Sequence, residues 1–336
     1  MIRATYELQP HGAAEELARI ESTGLATGPA TGPATVRAEV VAERDGQAVL
    51  DFPETNWGGD ATLLVGSILA GEWADSAAFT RCRLVRIEWP DGLLPGPSFD
   101  APASVLVGAI VKPSLGLSPA EAAETAAMLG RGGADLVKDD ELLGDPGWCP
   151  LEERVRHIVR AIPNTTRYAP NVTGPPESLL DRAKRAVALG ARAVMVNAFA
   201  QGLGALVALR RAELGVPIFA HRVGAALWTR QQAFGIAPAV VADLTRRCGA
   251  DFVQVGSFTG SVFDRPEEVR AQIAACHVER PRSVAVLGGG VGPENAAEQV
   301  RGARTGSGLM VLLGSAAYRY PDGAEAAVRA TVEAVR

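Results

Sequence analysis

The sequence predicts a (β/α)8 TIM barrel preceded by a small α+β domain of the ferredoxin-like kind. From Val105 onward, eight short apolar runs alternate with stretches rich in Ala, Leu, Arg and Glu. The runs begin 24 to 35 residues apart, which is the length of one strand plus a crossover helix. Polar residues or glycines end the runs throughout, which favours a closed barrel over the alternative, an open doubly wound sheet.

The eight predicted strands are mostly apolar until their last residues, as expected of strands that are covered on both faces. They begin at Val105, Ala134, Arg167, Ala193, Pro217, Phe252, Val284 and Leu309. The stretches between them carry helix signals. The stretch from Ser118 opens with a serine N-cap and has a glutamate in its first turn, and those from Pro176 and Arg265 begin with proline and acid.

Residues 1–100 break this rhythm and predict a separate N-terminal domain. The segments TYELQP, ATVRAEVVAE, GQAVLDF and TRCRLVRIEWP are typical of antiparallel strands, and AAEELARIEST and DATLLVGSILAG of helices. The low-complexity stretch at residues 26–35 predicts a flexible loop. Residues 91–102 are rich in Pro and Gly and predict the linker, so the barrel is expected to occupy residues 101–336.

Composition excludes several classes of partner. A net charge of −5 and a pI near 5.6 argue against nucleic acid or an anionic membrane surface. The four cysteines stand far apart and none lies near a histidine at the spacing of metal ligands, so we expect neither disulfides nor a zinc site, and a cytoplasmic protein. No apolar run approaches the roughly 18–20 residues that span a bilayer, and the N-terminus lacks a signal-peptide pattern.

Active sites of such barrels lie at the carboxyl ends of the strands, so these ends hold the candidate residues. The second run ends in Lys138, Asp139, Asp140 and Glu141. Strand alternation directs Lys138 and Asp140 to the same side, where they predict either an oxygen-ligand metal site or a simple salt bridge. The other candidates at strand ends are Lys112, Asn171, Asn197, His221, Arg222, Gln254, Ser257, Gly288, Gly289, Gly290, Gly314 and Ser315. The glycines suit either a phosphate grip or ordinary turns.

Two motifs identify a family resemblance. KPSLGLSP at residues 112–119 and GGADLVKDDE at residues 132–141 closely resemble motifs of the ribulose-bisphosphate carboxylase (RuBisCO) large subunit and of the non-carboxylating RuBisCO-like proteins. AHR at residues 220–222 and LLGSAAYRYP near the end keep the family's order. ESTG at residues 21–24 is similar to the family's loop that reaches into the site of a partner subunit.

The resemblance implies a Mg²⁺ site in which Lys138 is carbamylated by CO₂ and Asp140 and Glu141 are the other ligands. It implies that Lys112 handles the proton of the enolisation step and that His221 lies near the metal and the substrate hydroxyls. It further implies a phosphate-binding site and a homodimer with shared active sites. The residues implied to bind substrate or phosphate are Arg222, Gly288, Gly289, Gly314 and, from the partner, Glu21; Asn171 is a candidate from its strand-end position.

Departures from the family pattern bear on the reaction. Ser114 stands where the family has the second lysine of KPKLGL, Gln254 replaces a histidine, and Ser261 falls at the position of the mobile-loop lysine. A serine carries no positive charge to stabilise a new carboxylate, so carboxylation is expected to fail. Leu287 and Ser315 replace a serine and a glycine of the phosphate sites, which suits a monophosphate better than a bisphosphate.

The expected function is therefore that of a Mg²⁺-dependent enolase or isomerase (tautomerase) acting on a small phosphorylated keto-sugar or diketo compound through an enolate. The alternative within the same site is a decarboxylase of a phosphorylated β-keto sugar acid. A Schiff-base aldolase using Lys138 or Lys112 would be insensitive to chelators and inactivated by borohydride with substrate. A non-catalytic binding protein would have less need of the KDDE segment.

Overall fold

The computed structural model describes residues 1–24, 36–260 and 262–336. The predicted flexible loop at residues 26–35 and Ser261 lie outside the described residues. The chain divides into two units, the first formed by Met1–Pro95 and Gly224–Leu244, the second by Gly96–Val223 and Thr245–Arg336. The first unit thus includes Gly224–Leu244, which the sequence analysis had assigned to the barrel.

The described residues contain thirteen strands in two sheets, one of five strands and one of eight. In chain order the strands are β1 (Ile2–Gln9), β2 (Glu39–Arg44), β3 (Gln47–Phe52), β4 (Arg81–Glu88), β5 (Leu106–Ile110), β6 (Leu136–Lys138), β7 (Arg167–Ala169), β8 (Val194–Asn197), β9 (Ile218–His221), β10 (Phe234–Ile236), β11 (Phe252–Val255), β12 (Val284–Leu287) and β13 (Leu309–Leu313).

The α-helices follow the predicted alternation with the strands. In chain order they are α1 (Ala14–Thr23), α2 (Ala61–Leu64), α3 (Pro119–Arg131), α4 (Leu151–Ala161), α5 (Leu179–Ala188), α6 (Ala198–Gln201), α7 (Leu203–Arg211), α8 (Ala226–Thr229), α9 (Pro238–Arg247), α10 (Pro266–Cys276), α11 (Ala296–Ala303), α12 (Ser315–Tyr318) and α13 (Gly323–Val335). Short 3₁₀ turns lie at Glu54–Asn56, Glu72–Ala74 and Pro176–Ser178, and a π turn at Val65–Leu69. None of the helices in the described part of the chain is both long enough and apolar enough to span a membrane.

Helix α3 begins where the sequence predicts. The Ser118 hydroxyl accepts a hydrogen bond from the Glu121 N–H at 3.3 Å, and the Glu121 carboxylate accepts one from the Ser118 N–H at 2.8 Å. This reciprocal capping box satisfies two of the backbone donors that a helix start leaves free. The Pro119 at the first helical position needs no such partner.

The five-stranded sheet of the first unit confirms the four strands predicted in residues 1–100. Its order is β10-β4-β1-β3-β2, and β1 pairs antiparallel with both β3 and β4. Alternate residues of β1 are buried, as the apolar–polar alternation of its sequence requires. The added edge strand β10 pairs parallel with β4, with Phe234 opposite Cys82. This strand was not predicted, because three residues around a glycine show no alternation.

The eight-stranded sheet of the second unit confirms the predicted barrel. Its strands are parallel and run in the order β7-β6-β5-β13-β12-β11-β9-β8. The first and last members meet through a parallel bridge between Asn171 and Met195, where the Val172 N–H donates to the Met195 carbonyl at 2.9 Å. All eight runs singled out in the sequence are strands of this sheet.

The core of the barrel explains why the candidate residues meet. Each of the eight strands contributes a buried residue to the same core cluster: Ile110, Leu136, Ala169, Met195, Phe219, Phe252, Val286 and Leu312. Because side chains alternate along a strand, the residues two positions further on face the same side, nearer the carboxyl ends. These are Lys112, Lys138, Asn171, Asn197, His221, Gln254, Gly288 and Gly314. They surround the barrel mouth at different heights, since Lys138 pairs with Ile110 and with Ala169.

Candidate active site at the barrel mouth

Lys138 is fully buried at the end of β6. Its Nζ donates a hydrogen bond to the Asp139 main-chain oxygen at 2.8 Å and lies 5.7 Å from the ring centroid of Phe219. Burial lowers the pKa of Lys138 to about 8, although attraction to Glu141, Asp140 and Asp139 acts in the opposite direction. A buried amine of this kind is partly neutral near neutral pH, which is the form that reacts with CO₂.

Asp140 is bound by the other lysine of the mouth. The Lys112 Nζ donates to Asp140 Oδ2 at 2.5 Å and to the Ser114 hydroxyl at 2.8 Å. The Asp140 Oδ1 accepts from the Leu142 N–H at 3.1 Å. Burial by itself would raise the pKa of Asp140, but these hydrogen bonds and the lysine charges hold it below its usual value. The salt bridge that the sequence left open is therefore present, but Lys112 makes it and Lys138 does not.

Glu141 receives contacts from the ends of three other strands. The His221 Nε2 lies 3.4 Å from Glu141 Oε2. The His221 Nδ1 accepts from the Val223 N–H at 3.2 Å, so Nε2 carries the proton of the neutral ring. Burial, followed by the charges of Lys138, Arg222 and Lys112, keeps the pKa of His221 well below its usual value. A neutral His221 thus has its proton-bearing nitrogen 3.4 Å from the Glu141 carboxylate.

Two asparagines hold the backbone of the acidic segment. The Asn171 Nδ2 donates to the main-chain oxygens of Asp140 at 3.4 Å and Glu141 at 3.3 Å, and the Asn197 Nδ2 donates to the Glu141 oxygen at 2.9 Å. The Asn171 Oδ1 accepts from Thr173. These contacts make Asn171 a positioning residue in the structure, and its contact with substrate stays a prediction. The buried Asn197 Oδ1 has no hydrogen-bond partner within the described residues.

Asp139 points the other way, as alternation along the segment requires, into a fully buried network. Its carboxylate forms a salt bridge with Arg154 of α4 at 3.0 Å and accepts from the Tyr168 hydroxyl at 2.6 Å and the Asn171 N–H at 2.9 Å. Arg154 also donates to the Cys149 main-chain oxygen at 2.7 Å. Sequence reasoning missed Arg154, because a charged residue in an amphipathic helix is usually exposed.

The glycines at the ends of β12 and β13 differ in whether backbone conformation or packing requires a glycine. Gly289 and Gly290 adopt φ of 102° and 79°, a region that favours glycine, and a Cβ on Gly289 would lie 2.4 Å from Val262 Cγ1. A Cβ on Gly288 would lie 3.0 Å from Gln254 Nε2, whereas one on Gly314 would come no closer than 3.7 Å to its nearest neighbour. Backbone geometry and packing thus explain Gly289, and the phosphate grip stays a prediction.

Arg222 directly follows His221, the last residue of β9. Its two terminal nitrogens donate to the two carboxylate oxygens of Asp264, at 3.1 and 3.2 Å. Sequence reasoning missed Asp264, which lies 42 residues further along the chain.

Glu21 belongs to the first unit, where it lies in α1 and is only 8% exposed. Its Oε1 accepts from the Trp73 N–H at 2.8 Å. Burial raises the pKa of Glu21 from its usual 4.5 to about 7, with a further contribution from Glu72. The role in a partner's site that the resemblance implies for Glu21 stays a prediction.

We expect Glu21→Gln to change how the stability of the protein depends on pH. Between pH 4.5 and 7 the folded chain binds more protons at Glu21 than the unfolded chain, so the free energy of unfolding of the natural protein falls as pH rises through this window. The free energy of unfolding of Glu21→Gln, relative to that of the natural protein, should therefore rise by up to about 3 kcal/mol between pH 4 and 8. Denaturant titrations at both pH values measure it. The exposed Glu15 of the same helix provides the control, Glu15→Gln, and parallel pH profiles for Glu21→Gln and the natural protein would contradict the expectation.

The donor set at the mouth fits a divalent cation only if Lys138 takes part. Over residues 1–24, 36–260 and 262–336, His, Cys, Asp and Glu side chains form no group of three that could hold a metal ion. Asp140 and Glu141 offer two carboxylates, the ligand type that Mg²⁺ prefers. A third oxygen donor would come from a carbamate on the buried Lys138, whose lowered pKa suits that modification.

A family model, a relative in sequence and two solved structures all point to the same protein family. Residues 95–287 match the family of the ribulose bisphosphate carboxylase large chain, catalytic domain. A 2,3-diketo-5-methylthiopentyl-1-phosphate enolase from Geobacillus kaustophilus is 32% identical over 311 residues, covering 84% of this chain and 74% of that protein. The crystal structure of a rubisco-like protein from Alicyclobacillus acidocaldarius is similar with a TM-score of 0.83 and 29% identity, over 99% of this chain and 93% of that one. Octameric ribulose-1,5-bisphosphate carboxylase/oxygenase from Pyrococcus horikoshii gives a TM-score of 0.88 and 26% identity, over 99% and 87%.

Proposed function

Because the chain belongs to the ribulose bisphosphate carboxylase large-chain family, we propose that it is a non-carboxylating, Mg²⁺-dependent enolase of a small phosphorylated diketo compound. The observation that carries this proposal is the arrangement of Lys112, Lys138 and Asp140. One lysine is buried and partly neutral, while the other is partly exposed at the mouth and bound to the carboxylate. The name of the Geobacillus relative supports an enolisation of a phosphorylated 2,3-diketone.

The proposed cofactor is Mg²⁺ held by Asp140, Glu141 and a carbamate on Lys138. When bound, Mg²⁺ acts as a Lewis acid that favours the enolate form of a ketone. The protein's own part is to keep this ligand set in position. Asn171 and Asn197 hold the main-chain oxygen of Glu141, and His221 lies 3.4 Å from its carboxylate.

Lys112 is the proposed proton-transfer residue. Its side chain is 26% exposed, so its Nζ can reach a substrate at the mouth, whereas Lys138 is fully buried. To take the proton from the carbon beside the carbonyl, Lys112 would first have to leave Asp140 and give its own extra proton to solvent, because only the neutral amine can act as a base. The neutral His221, with its proton on Nε2, can donate a hydrogen bond to a substrate oxygen.

The absence of carboxylation is part of the proposal and rests on the lysines. The chain has three lysines, Lys112, Lys138 and Lys184, and none of them follows residue 184, so no lysine lies near Ser261 in the sequence. Ser114 instead accepts a hydrogen bond from Lys112. A hydroxyl supplies no full positive charge to a new carboxylate, so a carboxylated intermediate gains little stabilisation.

The test is exchange of substrate hydrogen with solvent. The protein is incubated in D₂O with 2,3-diketo-5-methylthiopentyl 1-phosphate, MgCl₂ and bicarbonate, and NMR follows deuterium at the carbon beside the carbonyl. We expect exchange that chelator abolishes, and no acid-stable label from ¹⁴C-bicarbonate with ribulose 1,5-bisphosphate. Chelator-insensitive activity lost with borohydride would instead indicate a Schiff-base aldolase. CO₂ release from a phosphorylated β-keto sugar acid, without exchange into the diketone, would indicate the decarboxylase.

A further inference from the structure

Arg222 is neutralised by a carboxylate that comes from a different strand end. The guanidinium donates to both oxygens of Asp264, in the loop between β11 and α10, at 3.1 and 3.2 Å. The Arg222 side chain is 15% exposed and that of Asp264 is fully buried. Paired hydrogen bonds between two charged groups of this geometry are among the stronger polar contacts in proteins.

Asp264 is held firmly in this position. The Gln272 Nε2, from α10, donates to Asp264 Oδ1 at 3.1 Å, and Gln272 is itself only 4% exposed. Gly256, just past the end of β11, leaves room for the carboxylate, since a Cβ there would lie 2.8 Å from Asp264 Cγ. These contacts hold the carboxylate beside Arg222, where it competes with any anion for the guanidinium.

The ends of β11 and β12 carry no charge that could replace that of Arg222. Gln254 lies near the end of β11, which pairs with β9 through Val253 and Ala220. Its side chain is an uncharged amide, whose buried Oε1 has no partner in the part of the chain that the structure describes. Leu287, at the end of β12, is apolar.

We propose that Asp264 determines the substrate specificity of this site by cancelling the charge of Arg222. The substrate end that lies at Arg222 is then uncharged, and the enzyme takes substrates with one phosphate in preference to bisphosphates. This inference rests on the proposed function, because it assumes that a phosphorylated compound binds at the mouth. It differs from the role that the resemblance implies for Arg222, which is to bind a phosphate.

Equilibrium binding tests the proposal independently of turnover. Calorimetry compares the dissociation constants of ribulose 5-phosphate and ribulose 1,5-bisphosphate, with MgCl₂ and bicarbonate present. We expect the natural protein to bind the bisphosphate at most about 3-fold more tightly. In Asp264→Asn, which keeps the side-chain size and removes the charge, Arg222 is free to bind a second phosphate. That variant should favour the bisphosphate by about 10-fold or more, with the monophosphate little changed.

The double variant Arg222→Gln with Asp264→Asn is the matched control, because it removes both charges and should restore the ratio of the natural protein. Bisphosphate binding that is tenfold tighter in the natural protein would overturn the proposal, even if Asp264→Asn did not fold. An unchanged ratio in a folded Asp264→Asn would overturn it as well. Failure of both ligands to bind the natural protein would overturn this inference, as would a bisphosphate preference. Neither result would contradict the proposed function, which the deuterium exchange of the diketone tests separately.

Discussion

Replacing Lys138 with methionine is expected to lower the rate of deuterium exchange into the diketone by roughly 10³-fold or more. Methionine has a similar length and no charge, so it fills the fully buried position above Phe219 without leaving a cavity. The variant should therefore fold, while the carbamate that completes the proposed metal site cannot form. A loss of activity without a loss of stability separates the chemical role of Lys138 from a structural one.

Carbamate formation can be observed directly, because the chain has three lysines. With ¹³C-bicarbonate and MgCl₂, ¹³C NMR of the natural protein should show a carbamate signal that is missing in Lys138→Met. The exposed Lys184 of α5 supplies the matched control, Lys184→Met, which should keep both the signal and the exchange rate. Undiminished exchange in Lys138→Met, or a carbamate signal that persists in it, would contradict the proposed metal site.

Arg154→Met is expected to lower the free energy of unfolding by about 3–5 kcal/mol. The substitution leaves the Asp139 carboxylate fully buried with the Tyr168 hydroxyl and the Asn171 N–H as its remaining described partners. It also removes the two hydrogen bonds that Arg154 donates to the main-chain oxygens of Cys149 and Gly144. Because Asp139 lies between Lys138 and Asp140, exchange activity should fall in the fraction that still folds.

Two further variants identify the buried charge as the cause. Tyr168→Phe removes one hydrogen bond and leaves the ion pair, so it should cost about 1 kcal/mol. Asp139→Asn combined with Arg154→Met removes both charges and should recover part of the stability that Arg154→Met loses. Urea titrations followed by circular dichroism give these differences. A loss below about 1 kcal/mol in Arg154→Met would mean that the pair does not stabilise the segment.

The sequence by itself determined the barrel fold and which residues line the barrel mouth. Eight apolar runs at regular intervals predict parallel strands, and the alternation of side chains decides which residues face inward. The five residues each follow an inner apolar residue by two positions, so the sequence alone predicts that they face the barrel mouth: Lys112, Lys138, Asn171, Asn197 and His221. The N-terminal strands were predictable for the same reason, since their periodicity is local.

Which of the residues at the mouth pair with each other, by contrast, was decided by the tertiary structure. Nothing in the sequence indicates that Lys112, and not Lys138, binds Asp140, or that Arg154 and Asp264 neutralise Asp139 and Arg222. Strand β10 likewise pairs with β4, with Phe234 opposite Cys82, although the two residues are 152 positions apart in the chain (234 − 82). Local patterns record which face of a strand or helix is buried, because burial repeats with the period of the backbone. Pairings between distant segments depend on which charged groups burial brings together, and such pairs leave no periodic signal in the sequence.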